Sequence, residues 1–293
     1  MMSSVAMPLP RRWPRQCTVG LGLIALAWPL AWSHWEPISR YTFFPLWLGY
    51  ILTMDGLVLI RRGSSILSQS PRRWTLLFVL SMPFWWAFEL LNLAVHNWEY
   101  LGTAGYGFWS YLALASVNFS TVLPAVMESS ELVASFAWLR RLRLWWPVPS
   151  TPVVLWSLLV FGVLSIILPV RFPHYAYPLV WGVLFFLVEP FNVWLGAPTL
   201  FAWLRRGDWR PVIALALGTL LCGFFWEMWN YHSFPKWIYH VPGFDQGPHL
   251  FEMPLPGFLG YLPFALELYA MMNLLHHLLG RSNKRLVRLG DDE

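Results

Sequence analysis

Charge is what this sequence has least of. Asp, Glu, Lys and Arg make up 12% of its 293 residues, against about 25% in a typical soluble domain. Apolar residues make up 57%, and the mean hydropathy is +0.49. That balance excludes an ordinary soluble domain and marks an integral membrane protein. Cysteine is almost as scarce. Cys17 and Cys222 both lie in or beside apolar runs, so there is no disulfide framework and no zinc-ligand spacing. Gly-rich phosphate loops, a nucleophile elbow and a Cys-His pair are also missing. The excess of basic residues, 20 against 15 acidic, requires no nucleic-acid partner, because membrane topology accounts for it.

The apolar runs carry the fold. The first, 18–32, follows Arg11, Arg12 and Arg15, and the next residues are Ser33-His34-Trp35. No small-residue cleavage site follows, so an uncleaved first helix is expected. Eight spans near the ~20 residues a bilayer requires are read at 17–34, 43–60, 74–95, 118–139, 151–170, 177–203, 211–231 and 257–280. With the N-terminus inside, only Arg40, Arg171 and Lys236 fall in outer segments, and the other 17 basic residues fall in inner ones. This positive-inside split predicts an even number of spans with both termini cytoplasmic, in a bacterial plasma membrane.

The halves read as duplicated. Glu89-x-x-Asn92 and Trp98-x-Tyr100 match Glu227-x-x-Asn230 and Trp237-x-Tyr239. Pro124-x-x-x-Glu128 matches Pro263-x-x-x-Glu267, and Asp55 matches Glu189, each 12 residues into its span. The predicted fold is therefore an all-α polytopic membrane bundle of two parallel four-helix pseudo-repeats. Residues 1–145 form the first, 146–280 the second, and 281–293 a polar, frayed cytoplasmic tail. Residues 108–117 are apolar, which allows an earlier start of the fourth helix; alignment of the halves instead makes them an outer interfacial segment. The long outer loop, 232–256, is expected to cover the outer mouth of the bundle.

Intramembrane carboxyls are costly and usually functional. Asp55, Glu89, Glu128, Glu189, Glu227 and Glu267, with Asn92 and Asn230, are thus the candidate catalytic residues. Positions three apart share a helix face, and a buried carboxyl kept protonated can donate a proton. Interhelical hydrogen bonding is the plainer reading of the same residues. Proline in a helix frees a carbonyl one turn back, so kinks beside Glu128 and Glu267 are expected to open a polar cavity. Trp85, Trp86, Trp98, Trp226, Trp229, Trp237 and Tyr239 supply aromatic faces that stabilise cations and are the candidate substrate-binding wall. Lipid anchoring is their alternative role. His96, His232, His240 and His249, with Asp245 and Glu252, match no metal-ligand spacing, so no metal and no cofactor is expected.

The pattern Trp226-Glu227, Asn230, Trp237-x-Tyr239, Gly260-Tyr261-Leu262-Pro263 and Glu267 resembles the heterodimer-type lycopene cyclase domain, a family of tandem small membrane repeats. The resemblance implies proton-initiated, redox-neutral cyclisation of a polyene or prenyl chain. It implies a role for Glu227, Asn230 and Glu267 and, through the internal symmetry, for Glu89, Asn92 and Glu128. The expected function is an intramembrane cyclase, isomerase or hydratase of a lipid-soluble isoprenoid. A proton-coupled transporter or lipid carrier and a non-catalytic assembly protein are the alternatives.

Overall fold

The computed structural model describes residues 13–142, 145–280 and 285–290. Arg11, Arg12, Arg143, Arg281 and Lys284, counted above among the inner basic residues, lie outside the described residues, as do tail positions 291–293. The described residues are mostly helical. The helices are α1 (Arg15–Trp32), α2 (Phe43–Arg62), α3 (Ile66–Gln69), α4 (Pro71–Val95), α5 (Phe108–Phe119), α6 (Val122–Ala134) and α7 (Ala137–Arg140). They continue as α8 (Pro152–Arg171), α9 (Pro173–Ala176), α10 (Val183–Leu195), α11 (Phe201–Leu204), α12 (Arg210–Tyr231) and α13 (Tyr261–Leu278).

Among the described residues seven stretches are long and apolar enough to cross a membrane. They are α2, α4, Phe108–Ala134, α8, Pro173–Leu195, α12 and Leu255–Leu278. The first expected span is present as α1, but it is not among the seven: Arg15 and Gln16 dilute its apolar character. It packs along α2, where Gly20 and Gly49 let the two backbones meet. The central helices α2, α4, α6, α12 and α13 pack on one another. On α8, by contrast, Val153, Val160, Ile167 and Val170 are exposed, as expected of side chains that face lipid tails.

One sequence expectation is corrected at the fourth span. Residues 108–117 are not a separate interfacial segment, and the helix does not reach 139. Helix starts at Phe108, breaks at Ser120-Thr121 and resumes to Ala134. The break has a clear cause. The Ser81 hydroxyl of α4 donates to the Phe119 carbonyl at 2.5 Å and accepts the Leu123 N–H at 2.9 Å. It thereby takes the place of one rung of the helix ladder. Pro124, with no N–H of its own, removes the next. Pro263 also stands in the first turn of its helix, after a 3-10 turn over Leu255–Gly260. Both prolines therefore begin a helix after a break. Neither bends a continuous one.

Two short strands cross one end of the bundle. β1 (Trp98–Leu101) pairs antiparallel with β2 (Lys236–Tyr239), with Trp98 opposite Tyr239, Glu99 opposite Ile238, and Tyr100 opposite Trp237. A second pair, β3 (His249–Leu250) with β4 (Met253–Pro254), lies in the same 232–256 stretch. At the other end the tail is not frayed over 285–290, as the sequence suggested. Leu286, Val287 and Leu289 are buried there, and Arg288 pairs with Glu131 of α6.

The α6–α12 crossing depends on Gly218. A methyl group there would meet the Ser130 backbone at about 2.5 Å, and backbone cannot swing aside. Gly22 has open space around it. We expect Gly218→Val to destabilise the protein by about 1–3 kcal/mol or more, and Gly22→Val to change stability by about 0.5 kcal/mol or less. Thermal unfolding in detergent checks both.

Candidate functional site

Beneath the β1–β2 ribbon lies a cavity. Its volume is about 180 Å³ to the centre of a water-sized molecule, within about 1500 Å³ of empty space once the open mouth is counted. The smaller figure is the one to set beside cavity volumes, and it exceeds the ~150 Å³ of a cavity known to hold benzene. The wall is aromatic. Of the aromatic residues singled out in the sequence, Trp85, Trp98, Trp226, Trp229, Trp237 and Tyr239 border it, and Trp47, Trp181, Tyr100, Tyr111, Tyr261, Phe119 and Phe264 join them. Trp86 does not. Its indole donates to Ser116 at 3.0 Å and packs on Phe119, facing α5. The wall is continuous between the halves, since the Trp85 and Trp226 ring centroids lie 6.5 Å apart.

Two carboxyls stand behind that wall. Glu89 Oε1 accepts the Tyr100 hydroxyl at 2.6 Å, the Trp85 indole at 2.8 Å and the Trp98 indole at 3.1 Å. Glu227 Oε1 accepts the Tyr261 hydroxyl at 2.5 Å and the Tyr239 hydroxyl at 2.7 Å, and the Trp237 indole in turn donates to the Tyr239 hydroxyl at 2.7 Å. Each acid thus lies in the last two turns of a helix, α4 or α12, and is held in part by the strand that follows it, with Trp85 of α4 and Tyr261 of α13 completing the two sets. Glu227 is fully buried, and its Oε2 has no partner among the described residues. Burial first, then the adjacent Glu227 carboxyl, pushes the Tyr239 hydroxyl well above the ordinary phenol range. Burial and Glu89 do the same to Tyr100. Both phenols stay protonated through neutral pH and serve as donors.

The asparagines act on backbone and not on the acids. Asn92 donates to the Trp98 carbonyl at 2.8 Å and accepts the Asn97 N–H at 2.8 Å and the Trp98 N–H at 3.3 Å. Asn230 donates to the Trp237 carbonyl at 2.7 Å and accepts the Trp237 N–H at 2.9 Å. Each fastens its strand to the preceding helix end, so it holds the cage without orienting the carboxyl itself.

The six candidate catalytic acids do not gather around one cavity, and the polar cavity expected beside Glu128 and Glu267 is not found there among the described residues. Glu267 Oε1 accepts the Leu184 N–H at 3.1 Å in the first turn of α10, an orphan donor of that helix. Glu189 accepts Thr199 at 2.5 Å, the Leu200 N–H at 2.6 Å and Asn192 at 3.0 Å. Asp55 accepts Ser65 at 2.7 Å, the Leu67 N–H at 3.0 Å and Gln16 at 3.0 Å. These three carboxyls satisfy the starts of helices, which accounts for the burial of Asp55 and Glu189, while Glu267 Oε2 is buried with no partner among the described residues. Glu128 lies beside Asp55 and Glu131. None of these four acids borders the cavity. Asp55 is 12 residues along α2 from Phe43, about 18 Å by helical rise from a residue on the cavity wall.

Tyr100, Tyr261 and Trp47 are functional candidates that sequence reasoning passed over. Tyr100 and Tyr261 stand inside the quoted motifs, so the signal was present. Trp47 sits in a plain apolar run and carries none. The histidines find local partners. His34 Nε2 lies 2.7 Å from the His232 carbonyl, His240 lies 3.3 Å from Glu99, and His249 Nδ1 lies 2.8 Å from the Gly247 carbonyl. Among the described residues no three His, Cys, Asp or Glu side chains gather as a metal site.

The fold and site define a helical membrane protein with an aromatic cavity backed by two caged carboxyls. Comparisons of the chain with protein-family models, with curated proteins and with solved structures found no match. Asn92→Ala and Asn230→Ala each leave backbone groups of a strand unpaired, so we expect each to cost about 1–3 kcal/mol. Hydrogen exchange should show protection lost first at the Trp98 or Trp237 amide.

Proposed function

We propose that the chain is an intramembrane, redox-neutral acid–base enzyme acting on the end of an apolar isoprenoid, such as a carotenoid or prenyl chain. Cyclisation, isomerisation and hydration all fall within this class. The observation that carries the reading is that Glu89 and Glu227 each back tyrosine hydroxyls on the wall of one aromatic cavity. In the proposed step, a proton held at Glu227 passes through the Tyr239 or Tyr261 hydroxyl to an alkene carbon. The π pair forms the new C–H bond and leaves a carbocation on the neighbouring carbon. The faces of Trp85, Trp226 and Trp229 stabilise it, by up to about 2 kcal/mol each where water is excluded. Loss of a proton from an adjacent carbon, through Tyr100 to Glu89, restores the double bond, so no electrons are gained or lost. Glu227 is assigned the donor role because its bare Oε2 offers a seat for the proton.

The duplicated architecture belongs to the same proposal. Trp98 pairs with Tyr239 and Tyr100 with Trp237, which is the register that a twofold axis through Glu99 and Ile238 requires if residues 98–100 correspond to 237–239. This supports two parallel repeats of four helices, with α1 as the eighth span, and the likeness to the lycopene cyclase domain. The basic inner segments support cytoplasmic termini in a bacterial plasma membrane. A second reading, a carrier of the same ligand coupled to protons, is favoured by the buried acids at the far end of the bundle.

Glu227→Gln and Glu89→Gln should each lower product formation by about 10²–10⁴-fold while the protein stays in the membrane. Glu267→Gln should lower stability and leave turnover. Mass analysis of lipids from hosts expressing each variant reads the outcome. A carrier would redistribute lipids without a new isomer or ring, and full turnover by both cage variants would remove the proposal.

A further inference from the structure

The cavity wall carries polar side chains that the proposed reaction does not use, and most of them are committed. Thr42, Thr103 and Ser233 donate to backbone carbonyls at 2.7, 3.3 and 2.6 Å. Arg40 and Lys236 pair with Glu36 and Glu252. Tyr106, whose hydroxyl has no partner among the described residues, lies under the Arg40 guanidinium. Tyr111 and Asn118 of α5 are different: both border the cavity, and among the described residues neither side chain has a hydrogen-bond partner. Asn118 takes part at the helix end only through its carbonyl, which accepts the Thr121 hydroxyl at 2.7 Å.

Helical spacing turns both toward the cavity. Tyr111, Leu114, Ala115, Asn118 and Phe119 border it, which is the stripe that one helix face presents. Trp109, Ala113 and Val117 lie on the opposite face and are exposed. Ser116 faces α4 and accepts the Trp86 indole at 3.0 Å, and Phe119 packs on Trp85 and Trp86. Asn118 and Tyr111 therefore stand on the cavity side, about 10 Å apart along the helix axis. A carboxamide in an apolar span ordinarily bonds to a neighbouring helix, and leaving it without a partner costs free energy. Asn118 has no such helix partner, so its partner is whatever occupies the cavity.

We infer that α5 forms a polar subsite in which Asn118, with Tyr111 two turns away, binds an oxygen function of the ligand. The inference rests on the isoprenoid reading of the cavity and narrows it to an oxygen-bearing chain, an alcohol or a ketone. Asn118 both donates and accepts, so it suits a hydroxyl. Its amide and the Tyr111 hydroxyl also donate to a carbonyl. A pure hydrocarbon would leave both side chains unpaired, and a site built to bond a ligand hydroxyl discriminates against the analogue that lacks it. The subsite belongs to α5, whereas the caged acids belong to α4 and α12. Oxygen recognition and proton transfer are therefore separate tasks on one wall.

The test measures binding of tritiated geraniol, and of the hydrocarbon of the same skeleton without its hydroxyl, to the full chain in detergent. Wild type is compared with Asn118→Leu and Tyr111→Phe, and with Asn118→Ala should the leucine variant not be recovered. Dividing wild-type by variant affinity for each ligand cancels their different uptake by the micelle. Asn118→Leu should weaken geraniol by about 3–10-fold, the range of one hydrogen bond, and leave the hydrocarbon within about twofold. Tyr111→Phe should act in the same direction. The thermal midpoints should stay near wild type, because neither side chain has a protein partner to lose. Equal loss of both ligands would mean that the residues only shape the wall, and no loss of geraniol would mean that water alone meets them. Either result overturns the subsite. Binding is read without turnover, so a hydroxyl preference in a chain that makes no product supports the subsite and counts against the reaction alone.

Discussion

A carboxyl inside a water-poor helix bundle must find donors or lose its charge, and the ways this chain meets that demand organise its architecture. Seven acids lie among its spans. Asp55, Glu189 and Glu267 accept backbone N–H groups at the starts of other helices, where those donors would otherwise be orphaned. Glu131 takes arginine from the tail. Glu89 and Glu227 take phenol and indole donors. Each solution joins two distant pieces of chain, so these polar contacts act as locators for apolar helices that could otherwise slide on one another.

The cages depend on the strands, and the strands depend on the cages. Tyr100 and Trp98 reach Glu89 only because Asn92 fastens the Trp98 backbone to the end of α4, and Asn230 does the same for Trp237 at the end of α12. The ribbon then joins the two assemblies, with each Trp-x-Tyr opposite the other. A two-stranded ribbon by itself is marginal. This one is tethered at both helix ends and lies over a packed aromatic wall.

Much of this was legible in the sequence, and the limits have physical causes. Apolar length and composition mark the membrane helices because the bilayer sets both. Glu89, Asn92, Trp98 and Tyr100 are recognisable because Glu227, Asn230, Trp237 and Tyr239 repeat their spacing, and the structure joins each set by direct hydrogen bonds. Repetition alone, however, does not separate an acid that caps a helix from one that faces a cavity. Asp55 and Glu189 repeat as faithfully as the cage pair, yet their partners are backbone amides reached only through tertiary packing. The break at Ser120-Thr121 is similarly out of reach of local reasoning. Pro124 signals a weakened ladder, but the hydroxyl that completes the break comes from Ser81, on another helix. The tail was misread because its composition is polar, whereas Leu286, Val287 and Leu289 are buried beside Arg288, which pairs with the buried Glu131, and Arg285, which lies over the Trp203 ring.

The division between the two ends of the bundle follows from the same chemistry. A proton can be passed to a ligand only where a carboxyl meets a mobile hydroxyl that faces open space. Backbone N–H groups cannot relay, because they donate without taking a proton in return, and the Ser65 and Thr199 hydroxyls that reach Asp55 and Glu189 do not border the cavity. Guanidinium does not release a proton in a protein, so Glu131 is equally committed. Tyrosine differs from both, since its hydroxyl accepts and donates at one oxygen. Trp85 and Trp98 also touch Glu89 and border the cavity, but an indole N–H only donates; among the described residues Tyr100, Tyr239 and Tyr261 are the hydroxyl-bearing side chains that do both. In the proposed reaction, an exchange of protons between a ligand in the cavity and the two caged acids would run through these three hydroxyls.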